Sequence, residues 1–330
     1  MKTQRQKPFK NEFEADVFAG LNASPKYLNS KYFYDARGDA LFQQIMALPE
    51  YYLSDLEFEI LQTHTHQIAE LFASDGGFDL IEFGAGDGQK TKILLQFLHD
   101  RGVDFKYCPV DISNNAVETL RQSLQQTLPD LCVEPHIGTY EQALKKFGAY
   151  RERKKIILFL GSNIGNFTPE AAVTFLAQIR AQMGQRDRLF VGFDQKKHPQ
   201  RILDAYHDSE GVTEAFNKNL LLRINRELGA NFDPDTFVFW PVYDPEDSVL
   251  KSYLLSKTAQ NIRIEALDFV ATFHPWESIH MENSRKFDAH AIQSLARQAG
   301  LLVSRVFADP QNNYKDYLFK KSPEDERPCR

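Results

Sequence analysis

The residues most able to do chemistry sit in Glu82-Phe83-Gly84-Ala85-Gly86-Asp87-Gly88, where an apolar run gives way to a helical pattern. Glycines at such a handover let the backbone turn tightly and approach a ligand closely. Two nucleotide cofactors compete for such a loop. A dinucleotide fingerprint spaces its glycines G-x-G-x-x-G and seats a pyrophosphate on the helix N-terminus. Here the spacing is G-x-G-x-G, and Gln89 stands where the third dinucleotide glycine would be. Glu82 and Asp87 make the loop acidic, which is poor for a pyrophosphate. It suits a cationic sulfonium bearing a free amino group, so S-adenosylmethionine (SAM) is favoured over NAD. Asp111 closes the next strand pattern, one βα unit later, where an acid commonly grips ribose hydroxyls; a helix cap before Ser113 and Asn114 is the alternative.

Gly161-Ser162-Asn163-Ile164-Gly165-Asn166-Phe167 follows the apolar run Ile156–Leu160. In open α/β sheets ligands sit outside the carboxyl ends of strands, so Asn166 is placed to offer a donor and an acceptor there. A turn or cap before Thr168-Pro169 is its alternative. Tyr32, Phe33, Tyr34, Tyr51 and Tyr52 concentrate aromatics near the N-terminus, as core or as a pocket wall for a small aromatic or cationic substrate. Glu282 and Ser284 alternate, so an extended segment would point both to one face. His280 reads as structural. No His, Cys and acid grouping has metal-ligand spacing, and no G-x-S-x-G elbow is present, so no metal is expected.

The elements that must position these residues alternate through the middle of the chain. The patterns predict strands over 78–83, 105–111, 131–136, 155–160 and 188–193. Helices are predicted over 90–98, 115–128 and 171–183. That alternation implies a parallel, doubly wound sheet. Residues 32–61 have helical spacing, 199–228 read as a long helical stretch broken at Gly211, and 236–273 as strand-like. The chain returns to α/β with a helix over 289–300 and strands over 302–306 and 317–319. The expected architecture is an α/β, Rossmann-like sheet domain over 60–196 plus 286–330, with a discontinuous α+β domain over 14–59 plus 197–285.

The 330 residues carry 42% hydrophobic and 25% charged side chains, ordinary globular usage that excludes bulk disorder. The net charge of −6 argues against a general nucleic-acid binder. No apolar run reaches the roughly 20 residues that span a bilayer. Residues 1–10 lack the apolar core of a signal peptide. Cys108, Cys132 and Cys329 are too scattered for a disulfide framework. Each is expected as a buried small hydrophobe or, for Cys329, an exposed tail residue in a charged, frayed segment. The expected compartment is reducing cytoplasm.

Together the motifs resemble the histidine-specific, SAM-dependent methyltransferase family, which includes the enzyme making trimethylhistidine for ergothioneine biosynthesis. The likeness runs from about Lys31 to Phe319. It rests on Tyr32-Phe33-Tyr34-Asp35, Leu48-Pro49-Glu50-Tyr51-Tyr52, the 82–88 loop, Pro109-Val110-Asp111-Ile112-Ser113, residues 160–166, Gly211-Val212-Thr213-Glu214-Ala215-Phe216-Asn217 and Ser284-Arg285-Lys286-Phe287. The resemblance implies a Rossmann-like class I methyltransferase domain joined to a substrate domain, acting on the α-amino group of an amino acid, L-histidine foremost. It implies SAM contacts from Gly84, Gly86, Lys92, Asp111 and Tyr140. It places Asn166 and Tyr206 on the substrate carboxylate, Tyr34 near the reacting amine as the catalytic residue, and Tyr51, Glu282 and Ser284 on the side-chain ring. Three positions depart from the family pattern. Gly138-Thr139-Tyr140 stands where Gly-Asp-Phe is usual, and Ser252 where Met is. Relatives methylate other amines, including a prenylated tryptophan, so a tryptophan derivative is a second substrate reading. A non-catalytic SAM-binding protein is a third.

Overall fold

Burial explains why the strands along the middle of the chain read so clearly. Phe78–Phe83 and Lys154–Phe159 are buried at every position, as strands covered on both faces must be. The computed structural model describes residues 8–148 and 153–322; Cys329 and the segment from Pro323 lie outside them. Two compact units emerge, one from residues up to Tyr51 plus His198–Ser284, the other from Tyr52–Lys197 plus Arg285 onward.

Along the chain, the first unit contributes α1 (Glu12–Asn22), β1 (Lys26–Tyr27) and α2 (Ala36–Met46). The second then supplies α3 (Tyr52–Ala73), β2 (Phe78–Phe83), α4 (Gln89–Asp100), β3 (Phe105–Asp111) and α5 (Asn114–Thr127). It continues with β4 (His136–Ile137), α6 (Tyr140–Gly148), β5 (Lys154–Phe159), α7 (Pro169–Gln182) and β6 (Arg188–Asp194). The first unit resumes with α8 (Pro199–Asp204), α9 (Val212–Leu228), β7 (Phe237–Asp244), β8 (Val249–Ser256), β9 (Gln260–Ile264), β10 (Phe269–Phe273) and β11 (Ser278–Arg285). The second closes with α10 (Ala289–Gln298), β12 (Leu301–Ala308) and β13 (Tyr314–Lys321).

The larger sheet has the order β12-β13-β6-β5-β2-β3-β4. The five strands β4, β3, β2, β5 and β6 run parallel; β13 is antiparallel to β6 and to β12. The Rossmann-like α/β sheet expected from the alternation of elements is present, with β13 as an antiparallel addition near the C-terminus. Antiparallel β13 follows from the short turn joining it to β12: a hairpin reverses direction, whereas a parallel neighbour needs a long crossover. The strand order reverses between β2 and β5, so their carboxyl ends form the switch point where α/β sheets bind ligands.

Three expectations change. The strand expected over 131–136 is reduced to β4 and a bridge from Val133 to Tyr107, because Pro135 interrupts the ladder. Cys132 is exposed there, whereas Cys108 in β3 is buried. The whole of α3, with residues 52–59, belongs to the sheet unit rather than to its partner. The first unit holds a four-stranded sheet of order β1-β11-β8-β7 and the β9–β10 hairpin, around a core that includes Phe33, Phe216, Leu220, Phe237 and Met281. Among the described residues, no helix is long and apolar enough to cross a membrane.

Candidate functional site

The glycine loop takes its shape from three left-handed residues between β2 and α4: Gly84, Gly86 and Gly88 have φ of 70°, 54° and 66°. L side chains rarely adopt that region, which is why the sequence places glycine at each. A Cβ on Gly84 would fall 3.0 Å from Tyr140 Oη and 3.1 Å from Asn163 Nδ2. One on Gly86 would meet nothing within 4 Å, so the loop backbone is open on that side. Gly88 caps α4 without a side chain.

Asp111 braces this loop. Its Oδ2 accepts the Gly86 N–H at 3.0 Å and its Oδ1 the Ser113 N–H at 2.9 Å. Ser113, not Asp111, caps α5. The acid therefore fixes the loop from the end of the neighbouring strand and remains half-buried. The Tyr140 ring packs on Phe83, Phe159 and Phe175, with its hydroxyl beside Gly84. Burial pushes that hydroxyl above the ordinary tyrosine range, so it stays protonated. Thr139 and Gln142 exchange hydrogen bonds in a capping box for α6, so the side chain that stands where the family pattern has Asp is engaged there.

Two acids and two lysines correct the sequence reading. Glu82 does not line the loop. It is buried, accepts from Thr91 Oγ1 at 2.6 Å and from the Tyr107 hydroxyl, and desolvation pushes its carboxyl up to about 7. Lys92 lies on α4, half-buried, with no ion pair among the described residues. Lys90, two positions earlier and also half-buried, is the paired cation: it pairs with the buried Glu57, and its ammonium lies 3.7 Å from where a Cβ on Gly161 would be. Nothing in the sequence marks Lys90 and Glu57 as partners, because a paired charge in a helix has the same letter as a solvated one. The Asn163 amide stands between Gly84 and Gly161, a placement its motif does not signal. Asn166 is exposed at the end of the 3-10 turn Asn163–Asn166. Thr168 caps α7, so Asn166 is not the cap.

The other predicted residues lie in the first unit and four of them form a chain there. Tyr34 packs edge-on against Phe42 and Phe216, each at 5.7 Å between ring centroids. Phe42 contacts Tyr51, and Tyr51 contacts Tyr206 at 6.2 Å. Tyr206 Oη and Ser284 Oγ are hydrogen-bonded at 2.7 Å, both buried. Asp35 explains the motif beside Tyr34: it caps α2 through the Gly38 N–H and bonds Asn219 and Arg226 of α9. Asp208 accepts the first-turn N–H groups of α9, those of Val212 and Thr213. Glu282 lies half-buried on β11, two residues before Ser284. Ser252 is buried in β8. His280 bonds Asn283 and packs on Tyr253, a structural role.

An open, glycine-lined backbone at a switch point with a carboxylate on the next strand fits an adenosyl cofactor. Among the described residues no cluster of three or more His, Cys, Asp or Glu could hold a metal ion. Residues 13–321 match the family described as histidine-specific methyltransferase, SAM-dependent. The histidine N-alpha-methyltransferase of Mycolicibacterium smegmatis is 35% identical over 299 residues, covering 91% of this chain and 92% of its own. The protein of the same name from Mycobacterium tuberculosis is 34% identical with the same coverage. Ergothioneine biosynthesis protein 1 of Schizosaccharomyces pombe is 29% identical over 89% of this chain, which spans 39% of that longer protein. The topology, the loop and these likenesses converge: the chain belongs to the histidine-specific, SAM-dependent methyltransferase family.

Proposed function

We propose that this methyltransferase acts on the α-amino nitrogen of L-histidine. The observation that carries the reading is the buried Tyr206–Ser284 hydroxyl pair at the end of the aromatic chain running through Tyr34, Phe42 and Tyr51. It sets polar hydroxyls in an aromatic wall, as a small amphipathic ring substrate requires. The names of the two mycobacterial relatives support histidine in particular.

SAM, when bound, supplies a methyl group already activated on a sulfonium. What remains for the chain is alignment, desolvation and a neutral amine with a free lone pair. Tyr34 suits the catalytic position, because a phenol orients an amine without fixing positive charge on it. Tyr206 and Asn166 are the proposed carboxylate partners, and Tyr51, Glu282 and Ser284 the proposed ring partners. On the cofactor side, Gly84, Gly86 and Asp111 are the proposed contacts, with Tyr140 behind the loop. Lys92 keeps only the role that the resemblance implies. The cytoplasm is the proposed compartment, since SAM and free amino acids are both made there.

A methyl-release assay with a panel of amino acids and amines tests the reading. Histidine should give the highest kcat/KM. Preference for a tryptophan derivative, or no turnover with SAM, would overturn it.

A further inference from the structure

Five segments of the sheet unit meet around Gly192 in β6. Glu57 of α3 is fully buried; both of its oxygens accept the Gly161 N–H, at 3.0 and 2.9 Å. Oε1 also accepts from Tyr314 Oη at 2.8 Å, and Oε2 pairs with Lys90. A Cβ on Gly192 would collide with Glu57 Oε1 and would lie 2.5 Å from Tyr314 Oη and 3.1 Å from Asp316 Oδ1. Glycine is therefore required where two carboxyls and a phenol close on bare strand backbone.

Asp316 is the unexplained member. It is fully buried, and neither of its oxygens receives a hydrogen bond from a donor among the described residues. An ionised carboxylate without a donor, beside a second carboxylate, carries a desolvation cost that neutralisation removes. Lys90 is already engaged by Glu57.

We propose that Glu57 and Asp316 share one proton, carried by Asp316 and donated to Glu57, and that this acid pair positions Lys90 and the Gly161 amide at the carboxyl end of the sheet beside the SAM loop. The positioning half rests on the SAM reading above; the shared proton does not. Burial and the Glu57 charge both push the Asp316 carboxyl well above its ordinary range, with Lys90 opposing. Burial works against charge on Lys90, yet the Glu57 carboxylate paired with it holds it protonated. Burial, then the Glu57 carboxylate, keeps Tyr314 a phenol.

Infrared spectroscopy of the ligand-free protein tests the proton. At pH 9 ordinary carboxyls and Glu82 are ionised, so a carbonyl stretch of a protonated acid should persist in the parent and vanish in Asp316→Asn. Calorimetry with S-adenosylhomocysteine, SAM's demethylated product, tests the positioning. Asp316→Leu removes the donor to Glu57 and should weaken binding about tenfold, and Asp316→Asn, which keeps an N–H donor, should recover most of it. Glu57→Gln should raise the KM for SAM about tenfold with a smaller change in kcat. No acid band at pH 9 overturns the shared proton. Asp316→Asn binding as weakly as Asp316→Leu, or Glu57→Gln keeping the parent's KM, overturns the positioning role. If the leucine variant does not fold, Gly192→Ala replaces it, since its methyl displaces Glu57, and parent-like affinity there is equally fatal. A parent that binds no S-adenosylhomocysteine refutes the SAM reading, and with it the positioning half, and leaves the infrared result to decide the proton.

Discussion

Lys286 Nζ lies 2.8 Å from Asp194 Oδ2, and both side chains are fully buried. The same carboxylate accepts from Tyr52 Oη at 2.8 Å and pairs with Lys197. Tyr52 begins the sheet unit, Lys197 ends its first stretch, and Lys286 follows the residue at which the chain re-enters it. One acid at the end of β6 thus ties all three points where the chain crosses the unit's boundary. The Phe287 N–H adds a bond to the Asp194 carbonyl at 2.8 Å. This gives a structural reason for the Ser284-Arg285-Lys286-Phe287 motif.

Breaking that buried pair from one side leaves charge without its partner. Lys286→Met should cost about 3 kcal/mol of stability, at the low end for such pairs because Lys197 and Tyr52 remain on Asp194. Asp194→Asn should cost more, since it strands two ammonium groups. Urea denaturation of both variants checks the order; equal, small losses would show that the pairs contribute little.

Glu82 sets a pH dependence of stability. Its carboxyl is raised to about 7 in the folded chain, chiefly by desolvation, against an ordinary value of 4.5. The unfolded chain therefore releases this proton first as pH rises. The associated stability is fully present below pH 4.5 and is lost as pH climbs through about 7, a change on the order of 3 kcal/mol. Glu82→Gln keeps partners for Thr91 and Tyr107 and should remove that slope. Denaturation midpoints at pH 5 and pH 8 for parent and variant measure it.

Local signals were legible and convergent ones were not. The β2–loop–α4 handover could be read because it depends on a few adjacent residues with special backbone geometry. The helix break at Gly211 was legible for the same reason: it caps α9 with φ of 73°. The Glu57, Lys90, Gly161, Gly192, Tyr314 and Asp316 cluster was not, because no two of its contributing elements are local in sequence and only the sheet order β13-β6-β5-β2 joins them. The same limit hid the placement of α3, whose amphipathic pattern says that one face is buried but not against which unit. Motif position points to Lys92 and not to Lys90; the pairing with Glu57 sets Lys90 apart.

Asp111 joins the end of β3 to the glycine loop, so its loss should be felt by a cofactor bound there. Asp111→Ala frees the Gly86 and Ser113 amides that it now engages. Binding of S-adenosylhomocysteine should weaken by about 1–3 kcal/mol. Calorimetry on the folded variant decides, and unaltered affinity would mean that the loop holds its shape without the acid.

Selectivity for the ring is the most demanding test of the proposed substrate. Glu282 lies in the unit of the four-stranded sheet, on the strand that carries Ser284. If it accepts the imidazole N–H, Glu282→Ala leaves that donor unpaired and should lower kcat/KM for histidine by about 1–3 kcal/mol. Affinity for S-adenosylhomocysteine should stay at the parent's level, because the glycine loop belongs to the other unit. Phenylalanine, with no ring N–H, should lose nothing, so the gap between the two substrates narrows. Asn166→Ala should instead weaken histidine, tryptophan and phenylalanine alike, because the α-carboxylate is common to all three. Steady-state kinetics with the three amino acids on both variants separates the roles. Unchanged histidine turnover in Glu282→Ala would remove this residue from ring recognition. It would also favour a larger aromatic amine as the substrate.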